Sequence, residues 1–470
     1  MQALWQHSAL ELATLIARRD VSCVEVIEAH LARIEAVNPR VNAVVRLLAD
    51  EARAAAVAAD RQVAAGAALG PLHGVPITVK ENIDMAGLPT PLGRAGAGWR
   101  DGAGGCADGA THARGRRDPD RPHQPARPGA AGAHRQQPAR RTLNPWNPGR
   151  TAGGSSGGDA VALATGMAAI GLGNDIGGSL RNPANACGIA SIRPSAGRVP
   201  DAGFVPAEDR LFAVQLMNVQ GPMARRVADV RAALQALMGA HPRDPWSISA
   251  PLVGAAEPGP LRVAVLPEPP GGRTDPRVAA AVRRAAAALA DAGYEVTEIC
   301  PPRYEDAITA WAQLLFGDFE AMTPQLLPMM GRDGAAFWEM LRAIMPPWAD
   351  TAAVSELFMR RDGIARDWSR FMATYPLLLS PTWSQLPFEP GFDCASPAGA
   401  ADTAEMIRPV LPANLMGLPS ACVPADRDEA TGLPIGVLLT GRRFREDQCL
   451  DAAEAIERRF ALATPIDPVG

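Results

Sequence analysis

The sequence predicts an α/β protein whose sheet contains parallel strands. Three neighbouring signals carry this. "LRVAVLP" (261–267) is a short apolar, β-branched run ending at proline, the pattern of a buried strand. Asp275 then caps and Pro276 starts a helix reaching about Ala292. "YEVTEIC" (294–300) follows as the next strand. Strand, helix, strand at this spacing is a crossover unit, and crossovers pair strands in parallel.

The remaining elements follow in order. Residues 8–65 read as helices. Ser22 and Glu25 have the spacing of a capping box, and Val26, Ile27, His30, Leu31 and Ile34 share one face for core packing. "HGVPITVKEN" (73–82) reads as a buried strand ending at Lys80. "GDAVALATGMAAIGLGNDIGG" (158–178) reads as a small-residue helix, a strand and a glycine turn. Residues 304–374 read as mostly helical and carry Tyr304, Trp311, Trp338, Trp348 and Trp368. "YPLLLSPT", "PSACVPA" and "PIGVLLTGR" are late strands, and "REDQCLDAAEAIERRF" (445–460) is a closing helix.

Composition excludes several function classes. The chain has 470 residues, is 47% apolar and 20% charged, and has a net charge of -4, which favours neither nucleic acid nor an anionic membrane. No stretch approaches the ~18 consecutive apolar residues of a membrane helix. The N-terminus lacks the basic leader of a signal peptide. Seven scattered cysteines form no CxxC or Cys/His cluster, so neither a disulfide framework nor a zinc site is expected, and a reducing cytoplasm fits.

Chemistry concentrates in two glycine-rich segments, "AGGSSGGDA" (152–160) and "NDIGGSLRNP" (174–183). Neither has the spacing of a phosphate-binding loop. Either alone could be a plain tight turn. Together they offer a serine beside a run of small residues. Ser179 is a weak nucleophile unless a base takes its proton. The backbone N–H groups of Ile176, Gly177, Gly178 and Ser179 could converge on one point as an oxyanion hole, each good donor contributing roughly 3–4 kcal/mol. The histidines are poorly placed as bases. Lys80, at the end of an apolar strand, can serve if burial lowers its pKa, whereas arginine stays protonated.

"GVPITVKENID", "GGSSGG" and "NDIGGSLRNPANACGI" resemble the amidase signature family, hydrolases of carboxylic amides. The likeness runs nearly end to end, and the spacings from Lys80 to Ser155 and on to Ser179 also fit. The resemblance implies a single amidase domain over 1–470. N-terminal helices would occupy 1–70, the signature core 71–200, and the rest of the sheet with substrate-pocket helices 201–470. The fold would be a large mixed twisted central sheet covered by helices on both faces. The resemblance also implies a Ser–cis-Ser–Lys triad without a cofactor or metal. Ser179 would be the nucleophile, Ser155 the bridging serine on a cis peptide after Gly154, and Lys80 the terminal base. Ser156, Asp175 and Arg181 would support that site, although Asp175 and Arg181 equally suit a structural ion pair. Asn174 stands where the family usually has Thr, and Asp159 where a small residue is common; neither is expected to touch the triad.

One segment does not fit. Residues 94–141 number 48, contain Trp99 as the only large hydrophobe, and include ten arginines. Such a run cannot bury enough apolar surface to order itself, yet the family places a helix and a buried strand there. The spacing is conserved while the composition is not, which points to a shifted reading frame. Moved by one nucleotide, suitable codons for His134–Pro138 read Thr-Asp-Asn-Ser-Pro, like the family's Thr-Asp/Glu-Asn-Ser. Arg116–Gln124 and Gly105–Ala107 give two further landmarks in order. Two compensating frameshifts, near Arg94 and near Arg141, would explain this.

The expected activity is hydrolysis of a linear amide C–N bond to acid plus ammonia or amine through a Ser179 acyl-enzyme. Trp311, Phe316, Phe319, Met322, Phe337 and Trp338 lean toward an aryl or alkyl amide, although helix core is the plainer role for each. The alternatives are the A component of a glutamine-dependent tRNA amidotransferase and a non-catalytic, damaged paralogue. A basic nucleic-acid module rests on the ten arginines alone, without interleaved aromatics. A homodimer is what the resemblance suggests.

Overall fold

The computed structural model describes residues 2–85, 141–201, 210–345 and 347–469. The anomalous run, apart from Arg141, lies outside the described residues. Among the described residues nine strands form one sheet: β1 Ile77–Val79, β2 Ile170–Asp175, β3 Ala190–Arg193, β4 Val219–Ala224, β5 Arg262–Val265, β6 Glu295–Glu298, β7 Leu377–Pro381, β8 Ser420–Arg427 and β9 Pro434–Gly441. Their spatial order is β1-β2-β4-β3-β8-β9-β7-β5-β6. The expected crossover unit is present: β5 and β6 pair in parallel, Arg262 opposite Glu295, and helix Pro276–Asp291 joins them. Asp275 caps that helix by accepting the N–H of Arg277. β1/β2 and β5/β7 are also parallel. The other five pairings are antiparallel, so the sheet is mixed.

Alternation along the central strands separates two cores. On β7, Leu377 and Leu379 point to one face and Leu378 to the other; Val437, Leu439 and Leu438 do the same on β9. One face packs against Leu12 and Ile16 of helix Ala9–Ala17, Val282 and Leu289 of Pro276–Asp291, and Leu450 and Ile456 of Glu446–Arg459. The other packs against helix Gly157–Ala164, helix Tyr304–Phe319 with Trp311 and Phe316, and Trp368 of helix Thr351–Thr374. Helices therefore cover both faces, as the resemblance implies.

Two expectations need correction. The 73–82 run gives a strand of only three residues, and Ile77 is exposed. β1 is the edge of the sheet among the described residues, so one side of it has no ladder partner there. In helix Cys23–Val41 the capping box forms as expected. The buried stripe, however, runs through Cys23, Val26, His30, Arg33 and Val37, leaving Ile27, Leu31 and Ile34 half-buried. Arg33 is buried because its guanidinium donates to the carbonyls of Thr165 and Ile466 and to Asp467.

Candidate active site

Lys80 directly follows β1. Its backbone N–H donates to the carbonyl of Leu172 on β2, extending the parallel ladder by one residue and fixing where the side chain begins. Its ammonium donates to Ser155 Oγ at 2.6 Å and to Asn174 Oδ1 at 2.7 Å. Asn174 lies on β2 and is itself held by Asn82, which accepts from Asn174 Nδ2 at 2.9 Å. Lys80 makes no ion pair among the described residues. Burial pushes its pKa down to about 8, against the opposite pull of Asp159 and Asp175. Burial also pushes the Asp159 carboxyl up to about 6, with Thr78 and Lys80 pulling it down. Asn174 and Asp159, expected to stay clear of the lysine, both act on it, one by contact and one by charge.

Ser155 sits on the loop before helix Gly157–Ala164, and the Gly154–Ser155 peptide is cis. Gly153, at φ +74°, must be glycine: a Cβ there would stand 2.8 Å from Pro183 Cα. Ser179 sits on the turn that follows β2. The two loops meet where the Ser156 N–H donates to the Ser179 carbonyl at 3.3 Å. Among the described residues no hydrogen bond joins the Ser155 and Ser179 side chains. Ser156 Oγ is buried without a hydrogen-bond partner among the described residues, so this residue meets the Ser179 turn through its backbone N–H.

The Ser179 turn is shaped by Asp175. Its carboxylate accepts the N–H groups of Gly178 (2.8 Å) and Leu180 (3.2 Å). Arg181 donates to both oxygens at 2.9 and 3.0 Å, and Asn414 Nδ2 donates at 2.8 Å. Arg181 also donates to the Val410 carbonyl and to Asn414 Oδ1. Asp175 and Arg181 are completely buried. Burial alone would raise the Asp175 carboxyl, but the Arg181 charge and hydrogen bonds outweigh it and hold the group well below the usual carboxylate range. The two form a buried ion pair whose carboxylate also holds the turn.

The same geometry narrows the expected oxyanion hole. The Gly178 N–H is committed to Asp175 and is not available to a substrate. The N–H groups of Ile176, Gly177 and Ser179 have no partner among the described residues. Sequence reading missed Asn182, three residues beyond Ser179, and Trp383 and Asn414, which arrive from far along the chain; it named Trp311 as a pocket or core residue and not as a partner of this turn. Asn182 Nδ2 donates to the Gly177 carbonyl, and Asn182 Oδ1 accepts from Trp383 Nε1. No local motif marks Trp383 or Asn414. Lys80, by contrast, carried a stronger mark than its strand position: it is the only lysine in the chain. Among the described residues no group of His, Cys, Asp and Glu could hold a metal ion.

A hydroxyl beside glycine-turn N–H groups, with a lysine held on a second hydroxyl, is an arrangement suited to acyl transfer. The sequence profile of the amidase family matches residues 25–97 and 129–450, leaving out 98–128 inside the anomalous run. The indoleacetamide hydrolase of Bradyrhizobium diazoefficiens (strain USDA 110) is 40% identical over 98% of this chain and 87% of its own length. The A component of the glutamyl-tRNA(Gln) amidotransferase of Synechococcus sp. (strain CC9311) is 33% identical over 93% of this chain and 94% of its own. Among solved structures, 6-aminohexanoate cyclic dimer hydrolase complexed with substrate superposes with a TM-score of 0.78 at 25% identity, covering 98% of both chains. Profile, relatives and fold agree, and the chain belongs to the amidase family of amide hydrolases, with the amidase-signature fold.

Proposed function

We propose that the protein hydrolyses an aryl-alkyl amide of the indole-3-acetamide type to the carboxylic acid and ammonia. The observation that carries this is the Lys80 ammonium 2.6 Å from Ser155 Oγ, on a loop bonded to the turn that bears Ser179. Ser179 Oγ attacks the amide carbon, and its proton passes through Ser155 to neutral Lys80. The proton then goes to the leaving nitrogen, the C–N bond breaks and ammonia departs. Water, losing its proton along the same relay, attacks the acyl-enzyme, and the acid leaves as Ser179 regains a proton. The N–H groups of Ile176, Gly177 and Ser179 hold the oxyanion. In this reading the whole chain is one domain, the protein is a cytoplasmic homodimer, and no cofactor takes part. The six described cysteines, all free, suit a reducing compartment, and no described helix is long and apolar enough to cross a membrane.

The substrate class rests on the 40% identity to an indoleacetamide hydrolase over nearly the whole chain. Ammonia release from indole-3-acetamide that disappears in Ser179→Ala is the expected result. Release that survives in Ser179→Ala would overturn the nucleophile assignment. A second reading, the A component of a tRNA-dependent amidotransferase, is favoured by the near-full-length match at 33% identity. Ammonia transfer from glutamine that appears only with partner proteins would select it. We also propose that residues 94–141 arise from compensating frameshifts. Sequencing codons 90–145 from fresh template is expected to restore an apolar segment; an unchanged frame refutes this.

A further inference from the structure

The Ser179 turn consists of successive peptide units held in different ways. The unit between Gly177 and Gly178 is fixed at both ends: Asn182 donates to its carbonyl, and Asp175 accepts its N–H. The unit between Ile176 and Gly177 is fixed at one end. Its carbonyl, that of Ile176, accepts from Trp311 Nε1 at 3.0 Å. The Trp311 ring also lies flush on Gly177, where a Cβ would come within 2.8 Å of ring carbon Cζ2. The Ile176–Gly177 peptide is not among the cis bonds, and a planar trans unit points its N–H opposite to its carbonyl. Holding the carbonyl toward the indole therefore aims the Gly177 N–H away from it, as one of the donors that have no partner among the described residues.

We infer that Trp311 is a positioning residue for amide hydrolysis: its indole N–H fixes the Ile176–Gly177 peptide so that the Gly177 N–H stands ready for the oxyanion. The inference rests on the proposed Ser179 chemistry. It accounts for a tryptophan that reaches this turn from helix Tyr304–Phe319, more than a hundred residues along the chain. It also explains why the residue at 177 has no side chain. A donor already aimed at the developing charge needs no reorganisation during reaction, so losing its anchor slows the chemical step while leaving ground-state binding largely intact.

The test is Trp311→Phe, which keeps a ring and removes the N–H, compared with Trp311→His, which keeps a ring N–H. Three ligands with one benzyl group serve as probes: phenylacetamide as substrate, phenylacetate as product and benzylboronic acid as tetrahedral mimic. In Trp311→Phe, kcat is expected to fall roughly ten- to hundredfold, and boronate affinity by the same factor. KM and phenylacetate affinity should stay within about twofold, and Trp311→His should recover part of kcat. Wild-type kcat in Trp311→Phe, or equal losses in kcat, KM and product binding, would overturn the inference. If Trp311→Phe does not fold, Trp311→His is judged by the same split between kcat and KM. The rate of Ser179 sulfonylation by phenylmethylsulfonyl fluoride needs no amide substrate and should slow in parallel; an unchanged rate counts against Trp311. Activity retained in Ser179→Ala would instead show that the underlying site assignment had failed.

Discussion

Two charged centres lie on either side of the serines, and the protein treats them in opposite ways. Asp175 and Arg181 are fully buried, and each finds its opposite charge, with Asn414 and the turn N–H groups completing their bonds. Lys80 is half-buried, bonded to the neutral oxygens of Ser155 and Asn174, and has no ion-pair partner among the described residues. The first arrangement locks charge in place. The second makes charge expensive, which is why the lysine's pKa falls to about 8 while the aspartate stays ionised. The comparison shows how one loop cluster can hold a complete ion pair beside a lysine whose charge is left without an ion-pair partner, which is what the proposed proton acceptor would need.

The largest expected effect breaks the frame. Arg181→Met leaves the Asp175 carboxylate buried without its partner and should cost about 3–5 kcal/mol in urea unfolding. A loss below about 1 kcal/mol would mean that the pair is not needed to hold the turn. Lys80→Met should do the reverse. It removes two hydrogen bonds, each contributing about 1 kcal/mol, while ammonia release from indole-3-acetamide should fall by roughly a thousandfold or more. Lys80→Arg should be equally inactive because its guanidinium stays protonated. If Lys80→Met lost stability as Arg181→Met does, the contrast between frame and acceptor would collapse.

The smallest effect sharpens the contrast. A base must be deprotonated to act, so kcat/KM should rise with pH, pass its midpoint near 8 and level off above it. Because Lys80 is the only lysine, specific isotope labelling of lysine side chains gives a single resonance whose titration reads the same pKa directly. The charge of Asp159 supports the ammonium, so Asp159→Asn should move that midpoint to lower pH. A midpoint that stayed put or moved upward would remove Asp159 from the electrostatics of the lysine.

Much of this was legible locally. The Ser22–Glu25 capping box, the crossover unit around Asp275–Pro276 and the late strands are short-range signals, and each appears where the sequence places it. The glycine-rich loops were legible too, because close approach and positive φ permit few residue types, as at Gly153 and Gly178. The short, exposed β1 was not. Its apolar run reads as buried, but exposure is set by what pairs with it, and that lies far away in sequence.

By itself, the sequence determined the sheet-forming runs and the helices between them, because periodicity and capping are properties of neighbouring residues, and its resemblance to a family singled out Lys80, Ser155 and Ser179 as candidates. Only the tertiary structure decided that Asn174 receives the lysine, that the Gly178 N–H is already taken by Asp175, and that Trp311 and Asn414 arrive at the turn from the far half of the chain. The physical reason is that a hydrogen bond depends on distance and direction in space, and the packing of strands, helices and turns sets both, not neighbouring sequence.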